Sequence, residues 1–277
     1  MGLTVDPETL MRSVATPLGA AAPRSMRPGW LRLPRRHRNA PPKGDRPEEM
    51  TLSGHLAELR TRLFVAAVSL VPGTILGFLY ANPIIHVLRA PLPTNKPLVA
   101  LGLTEPFMIE LKVAFTVGFI LAMPVILYEF WAFISPGLSH DERSAARPWV
   151  PLAMFFFALG VGVAYFILPY AAGFLYDFQS ADITLMLTAD AYFSFVTTLF
   201  LAFGLVMEFP IVLVLLAKVG LVNSLLLRRS RRMAYMGIVI FSAVVTPGAD
   251  LVSPIVMAVA MLGLFEASIV MIRFGGR

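Results

Sequence analysis

The chain has 277 residues, of which 57% are hydrophobic and only 14% are charged. An average soluble domain carries about 25% charged residues. A chain this apolar could not cover its surface with polar atoms, so the composition excludes an ordinary soluble enzyme and indicates an integral membrane protein. The absence of cysteine excludes disulfides, a thiol nucleophile and a cysteine-ligated metal site.

The first 49 residues differ from the rest of the chain. They are rich in proline and arginine and contain no apolar run of signal-peptide length. We interpret 1–49 as a disordered cytoplasmic arm and 50–277 as the membrane domain. A second interpretation stays open, in which translation starts at Met50.

Six apolar runs follow. In lipid every backbone polar group must pair within the segment, so runs of this length are interpreted as helices. They lie at 64–80, 107–134, 149–168, 191–217, 233–245 and 253–272. The pattern predicts an all-α membrane protein with six transmembrane helices. We expect the fifth and sixth helices to be short. The fifth run, about 20 Å long at 1.5 Å per residue, predicts local thinning of the bilayer or entry of water.

The positive charges predict the orientation of these helices. Of the 23 lysines and arginines, 20 lie in the segments 1–62, 135–148, 218–232 and 273–277, while the connecting segments on the other side hold only Arg89 and Lys96. Because cytoplasmic segments carry the positive excess, both termini are predicted to lie in the cytoplasm. The excess of positive charge is then explained mostly by the orientation of the chain in the membrane, and no nucleic-acid partner is expected.

A carboxyl group within an apolar span costs free energy, so each such residue is a candidate functional residue. Glu208 is the clearest case, since it lies in an apolar run two residues before Pro210, which should kink the helix. Two interpretations stay open: a protonated glutamate bonded to a neighbouring helix, or a polar cavity used by a partner or substrate. Glu129 lies nearer the cytoplasmic end of its span, and Glu266 is a weaker candidate.

Two further acidic residues lie at the predicted cytoplasmic edge. Glu58 belongs to an amphipathic stretch that leads into the first span, and its i,i+4 spacing to Arg62 predicts an ordinary helical ion pair. Glu142 lies in the short segment after the second span. It fits either a solvated helix start or a binding role.

Four stretches in order carry a family resemblance. They read HLAELRTRL at 55–63, YEFWAFISPGL at 128–138 followed by Glu142 and Arg143, FGLVMEFP at 203–210, and TPGAD at 246–250. With six predicted spans and both ends inside, residues 50–277 resemble TatC, the multi-spanning subunit of the twin-arginine protein translocase.

The resemblance implies a receptor in the cell membrane for folded precursors whose signal peptides carry paired arginines. It implies TatA and TatB single-span partners, a homo-oligomer within the complex, and transport driven by the protonmotive force. It also implies residue roles: arginine binding by Glu58 and Glu142, signal recognition by Arg60 and Phe133, partner docking at the intramembrane Glu208, and outer-loop roles for Pro91 and Asp250. Glu129 is grouped with Glu208 as an intramembrane polar residue.

Two other classes of protein are compatible with a multi-spanning chain that carries carboxyl groups in its spans. A proton-coupled secondary transporter would use Glu129, Glu208 and Glu266 as proton sites, but its expected internal repeats are not visible in the sequence. An intramembrane enzyme would need a nucleophile–base pair or metal ligands at membrane depth, and no histidine or cysteine lies in any predicted span. We therefore expect no enzymatic activity, no metal and no cofactor.

Overall fold

The computed structural model describes residues 52–92, 98–137, 149–177, 186–218, 220–247 and 250–274. The predicted arm at 1–49 and the predicted binding residue Glu142 lie outside these ranges.

Helices make up most of the described residues. The α-helices are α1 (Leu52–Leu79), α2 (Ala81–Arg89), α3 (Glu105–Ile134), α4 (Trp149–Asp177), α5 (Ala189–Val206), α6 (Phe209–Lys218), α7 (Ser224–Arg229), α8 (Arg231–Val245) and α9 (Val252–Phe274). One turn of 3-10 helix continues α3, and the described ranges contain a single β-bridge and no strand. The all-α prediction is confirmed.

Five segments are long and apolar enough to cross a membrane. They are Gly54–Leu79, Glu105–Ile134, Trp149–Leu175, Ala189–Lys218 and Val252–Arg273. These correspond to five of the six predicted spans, and the fourth of them comprises α5 and α6 together. The chain is a multi-pass membrane protein.

The fifth and sixth predicted helices differ from one another. With 15 residues, α8 is about 22 Å long at 1.5 Å per residue, less than a bilayer core of about 30 Å. It ends because Thr246 precedes Pro247 and is extended, with φ −69° and ψ 127°. The short fifth helix is confirmed, whereas its crossing of the membrane stays a prediction.

The expectation of a short sixth helix is wrong. Helix α9 has 23 residues, which is about 34 Å at 1.5 Å per residue. It gains length at both ends, since it starts before Ser253 and runs past Ile272 to Phe274. The start is held by the carboxylate of Asp250, whose Oδ2 accepts a hydrogen bond of 2.6 Å from the backbone N–H of Ser253.

Small residues bring α1 and α3 into close contact. A Cβ atom placed on Gly77 would lie 2.5 Å from the carbonyl oxygen of Ala114, and one on Gly73 would lie 2.7 Å from that of Gly118. Both pairs are spaced four residues apart, so each helix presents small residues on one face. The two backbones can therefore approach more closely than larger side chains would allow.

The α5–α6 segment is the most enclosed part of the described chain. In the most apolar window of this span 72% of the residues are buried, against 11% in the corresponding window of α1. The helix is interrupted between Val206 and Phe209. Because Pro210 has no N–H, the carbonyl of Val206 loses its helical partner, and the backbone N–H of Glu208 turns to the carbonyl of Leu205 at 3.1 Å. The predicted kink is confirmed.

Polar contacts also join the helices at the end of the molecule that holds α2. Lys112 on α3 forms an ion pair with Asp190 on α5 and donates a hydrogen bond of 2.8 Å to the hydroxyl of Ser194. The phenol of Tyr192 donates to the carbonyl of Leu88 in α2 at 2.7 Å. These contacts tie α2 and α3 to the enclosed α5.

Candidate functional site

Two carboxylates and one guanidinium meet where the first half of α1 lies beside the last part of α3. Arg62 donates from Nη2 to Oε1 of Glu58 at 3.2 Å and from Nη1 to Oε2 of Glu129 at 2.9 Å. Because α1 and α3 run in opposite directions, residues far apart in sequence reach the same end of the pair. Arg62 therefore bridges two helices through two charge-assisted hydrogen bonds.

The bridge is partly enclosed and carries one more negative than positive charge. The side chains of Glu58 and Glu129 are 18% and 13% exposed, and that of Arg62 is 33% exposed. The second oxygen of Glu58, Oε2, is buried and has no hydrogen-bond partner among the described residues. An unpaired buried acceptor is unfavourable, so this carboxylate retains the capacity to accept a further donor.

A cavity of about 390 Å³ opens at this bridge. Its lining consists of Ala57, Glu58, Thr61, Arg62, Val65 and Glu129. A water molecule takes about 30 Å³ of liquid volume, so the cavity has room for a charged head group and accompanying waters. We call the cavity and the three charged residues the carboxylate pocket.

The two other predicted recognition residues in the described ranges lie near the pocket in sequence but take different positions. Phe133 stacks on the ring of His55, with centroids 4.3 Å apart and planes 18° from parallel. This contact joins the start of α1 to the end of α3. Arg60 is exposed, and its position two residues from Glu58 places it on a different face of the helix.

Glu208 forms a separate buried site at the break between α5 and α6. The residue is only 7% exposed, and neither of its carboxyl oxygens has a hydrogen-bond partner among the described residues. The interpretation of a glutamate bonded to a neighbouring helix therefore finds no partner in the part of the chain that the structure describes. A buried polar group without a partner is a feature that stability alone does not favour.

The predicted outer-loop residues have structural surroundings of their own. Asp250 is 4% exposed and caps α9 through the bond to Ser253. Pro91 lies in the turn after α2 and is partly buried beside Leu92, which belongs to the hydrophobic core.

Glu266 is paired rather than isolated. It accepts hydrogen bonds from Nη2 of Arg231 at 2.6 Å and from the phenol of Tyr235 at 2.5 Å. Both donors lie on α8, so the carboxylate fastens the short helix to α9.

Sequence reasoning missed the pairing of Glu129 with Arg62 and grouped Glu129 with Glu208. The two residues are 67 positions apart, and no local spacing rule connects them. A usable signal was present in the charges, because an acidic and a basic residue lie at similar depth near the same predicted end of two consecutive antiparallel spans. The structure joins Glu129 to Arg62 and, through it, to Glu58.

Comparison with known proteins gives consistent similarities. Residues 54–259 match the family model described as TatC, Sec-independent protein translocase protein. The TatC of Carboxydothermus hydrogenoformans is 35% identical over 227 residues, which cover 81% of this chain and 93% of that protein. The TatC of Aquifex aeolicus is 38% identical over 226 residues, which cover 79% and 93%.

Solved structures agree with the sequence comparisons. One described as "Crystal Structure of Twin Arginine Translocase Receptor- TatC" matches with a TM-score of 0.69 and 36% identity, and covers 80% of this chain and 100% of its own. A second, of the same receptor in the detergent DDM, also has a TM-score of 0.69. The similarity thus spans the described membrane region rather than one motif.

Proposed function

The chain belongs to the TatC family of Sec-independent protein translocase proteins, and we propose that it is the core receptor subunit of a twin-arginine translocase. In this role it binds the signal peptides of folded precursor proteins and assembles with TatA and TatB. The family consists of protein translocase components, which favours this role over a secondary transporter or an intramembrane enzyme.

The observation that carries the proposal is the unpaired oxygen of Glu58 in the carboxylate pocket. Two carboxylates share one guanidinium there, and Oε2 of Glu58 has no partner among the described residues. Arginine is always charged and presents a planar fork of donors that fits a carboxylate, whereas lysine is a compact and strongly hydrated charge. The pocket chemistry therefore favours an arginine of the signal peptide over a lysine.

A paired-arginine signal needs a second acceptor for its other arginine. Glu142 is the proposed second carboxylate, on the resemblance of its motif, and it lies outside the described residues. Arg60 and the stacked pair His55 and Phe133 lie within four residues of Glu58 or Glu129 in the sequence. In the proposal they contact the signal peptide on either side of its arginines.

Partner docking is proposed at a different site. Glu208 is a buried carboxyl beside a helix break, and a polar group on a TatA or TatB helix would supply the hydrogen bonds that Glu208 does not make within the described chain. Pro91 and Asp250 shape the loops at the opposite end. The proposal further places the chain in the cell membrane with both termini in the cytoplasm, as a homo-oligomer in a complex energised by the protonmotive force.

Peptide binding tests the proposal directly. The purified full chain in lipid nanodiscs would be titrated with a fluorescent twin-arginine signal peptide and with its Lys-Lys version, with anisotropy as the readout. Because one charge-assisted bond is worth roughly 1–3 kcal/mol, we expect Glu58→Gln to weaken binding of the twin-arginine peptide about tenfold. The Lys-Lys peptide should bind weakly to both proteins.

Glu110→Gln is the matched control. It removes the same charge from a partly exposed position on α3, far along the helix from Glu129. Equal affinity for the two peptides, or undiminished binding by Glu58→Gln, would refute the receptor role proposed for the pocket.

A further inference from the structure

We propose that Glu129 is a positioning residue of the arginine-binding site. It holds Arg62, the chain's own guanidinium, and thereby prevents Arg62 from neutralising Glu58. This inference rests on the proposed function and assigns Glu129 to the signal-peptide site rather than to partner docking.

The geometry shows that Arg62 approaches Glu129 more closely than it approaches Glu58. The bond from Arg62 to Glu129 is 2.9 Å, within the usual range for a charge-assisted pair, whereas the bond to Glu58 is 3.2 Å. Only one oxygen of Glu58 is engaged, while the other stays unpaired among the described residues. The guanidinium therefore divides its donors between two helices and leaves Glu58 incompletely paired.

Removal of Glu129 would change this division. Glu58 and Arg62 are spaced i,i+4 on one helix, an arrangement that favours an ion pair without any help from α3. A guanidinium released from Glu129 is free to turn two of its N–H donors to the two oxygens of Glu58, because a carboxylate rotates readily about its terminal torsion. An arginine of the peptide would then have to displace Arg62 before it could bind.

Charge arithmetic gives the same result. The pocket holds two carboxylates and one guanidinium, so the arrival of one peptide arginine makes it neutral. Without Glu129 the pocket is already neutral before the peptide arrives. Arg62 is thus an internal competitor for the signal peptide, and Glu129 decides whether it competes.

The test uses the twin-arginine peptide and the full chain in nanodiscs, with three variants. Glu129→Gln should weaken binding about tenfold, since the competitor is released onto Glu58. Removal of the competitor in the same background, in Arg62→Gln/Glu129→Gln, should restore affinity to within about threefold of the unmodified chain. Arg62→Gln alone should bind at least as tightly as the unmodified chain.

Glu266→Gln is the matched control, because it removes a carboxylate that also binds an arginine but lies outside the pocket. Peptide affinity should not change in this variant. Thermal unfolding of each variant shows which proteins remain folded, and Arg62→Gln keeps the proposal testable if the double variant unfolds.

The possible outcomes separate this inference from the proposed function. If Glu58→Gln weakens binding but Glu129→Gln does not, the positioning role is refuted and the receptor role stands. If Glu129→Gln weakens binding and the double variant does not recover, Glu129 does not act through Arg62 and the inference is also refuted. If Glu58→Gln itself has no effect, the proposed function fails first.

Discussion

The acidic residues of this chain are distinguished by their partners more than by their depth. Glu129 and Glu266 each pair with an arginine, and Asp250 caps a helix. Glu208 is as buried as the hydrophobic residues around it, yet both of its oxygens lack partners among the described residues. A buried polar group in this state costs roughly 1–3 kcal/mol of stability. Among these acidic residues, Glu208 is therefore the one whose presence is best explained by a function.

Glu208→Met should therefore stabilise the isolated chain while it impairs assembly. Methionine has a similar length and no polar atom to satisfy, so we expect the free energy of unfolding to rise by roughly 1–3 kcal/mol. Thermal unfolding in detergent would show a higher midpoint, and crosslinking to TatA or TatB helices should decrease.

Glu110→Met is the matched control at a partly exposed carboxyl of α3, for which a stability change of less than about 0.5 kcal/mol is expected. A lower unfolding midpoint for Glu208→Met, or an unchanged pattern of crosslinks, would contradict the role argued for Glu208.

At the scale of elements, the contact between α1 and α3 determines whether the carboxylate pocket exists. Glu58 and Arg62 are on α1, and Glu129 is on α3, so the pocket requires both helices to lie in a fixed register. That register is set by the small residues further along the same pair, including Gly77 beside Ala114. Close packing between the two helices thus positions charges near the helix ends.

Two glycine-to-alanine substitutions should have opposite effects on stability. A Cβ on Gly77 would lie 2.5 Å from the carbonyl oxygen of Ala114, so Gly77→Ala should push the helices apart and lower the free energy of unfolding by about 1–3 kcal/mol. At Gly162 on α4 no atom beyond the adjacent residues and the nearby backbone of the same helix lies within 4 Å of the added Cβ, so Gly162→Ala should be neutral or stabilising by up to about 1 kcal/mol.

The measurement is thermal or denaturant unfolding of both variants in the same detergent. Because Gly77→Ala displaces α1 relative to α3, it should also weaken binding of the twin-arginine peptide. Equal stability of the two variants would show that the close approach of α1 and α3 is not required.

A second contact between elements supports the short helix α8. Most of its apolar side chains are exposed, and Ile238 and Ser242 are its buried residues. Arg231 and Tyr235 bind Glu266 on α9. This polar contact fastens one end of α8 to α9.

At the scale of the whole molecule, the charge distribution and the loop contacts define two different ends. The segments before α3 and before α5 pair through backbone hydrogen bonds, from Val99 N–H to Leu187 at 3.2 Å and from Ala189 N–H to Val99 at 3.0 Å. Of the ten lysines and arginines in the described residues, all but Arg89 and Lys112 lie toward the opposite end. By the positive-inside rule, the paired segments are proposed to face outward.

Cysteine labelling tests this orientation, and the natural absence of cysteine makes single-cysteine variants straightforward. Leu103, before α3, is 100% exposed, and Leu221, before α7, is 68% exposed. We expect Leu103→Cys to react with a membrane-impermeant maleimide in intact cells, and Leu221→Cys to react only after permeabilisation. The reverse pattern would invert the proposed topology.

The amino-acid sequence by itself determined the helical class, the approximate spans, the kink before Pro210 and the identity of the costly buried carboxyl, because each depends on residues within a few turns of one another. The length of an apolar run, the backbone effect of proline and the free-energy cost of a charged group in lipid are all local properties. The predicted start of α9 differs from the observed start by one residue, because the helix-capping contact of Asp250 is also local.

Only the tertiary structure decided which charges meet. Arg62 and Glu129 are 67 residues apart, and Lys112 and Asp190 are 78 residues apart, so their pairing depends on how antiparallel helices pack and in which register. The i,i+4 spacing of Glu58 and Arg62 predicts a simple pair. The packing of α3 turns that pair into a bridge in which one oxygen of Glu58 has no partner among the described residues. Helix packing acts between distant segments, and for this reason it, rather than any local pattern, created the carboxylate pocket.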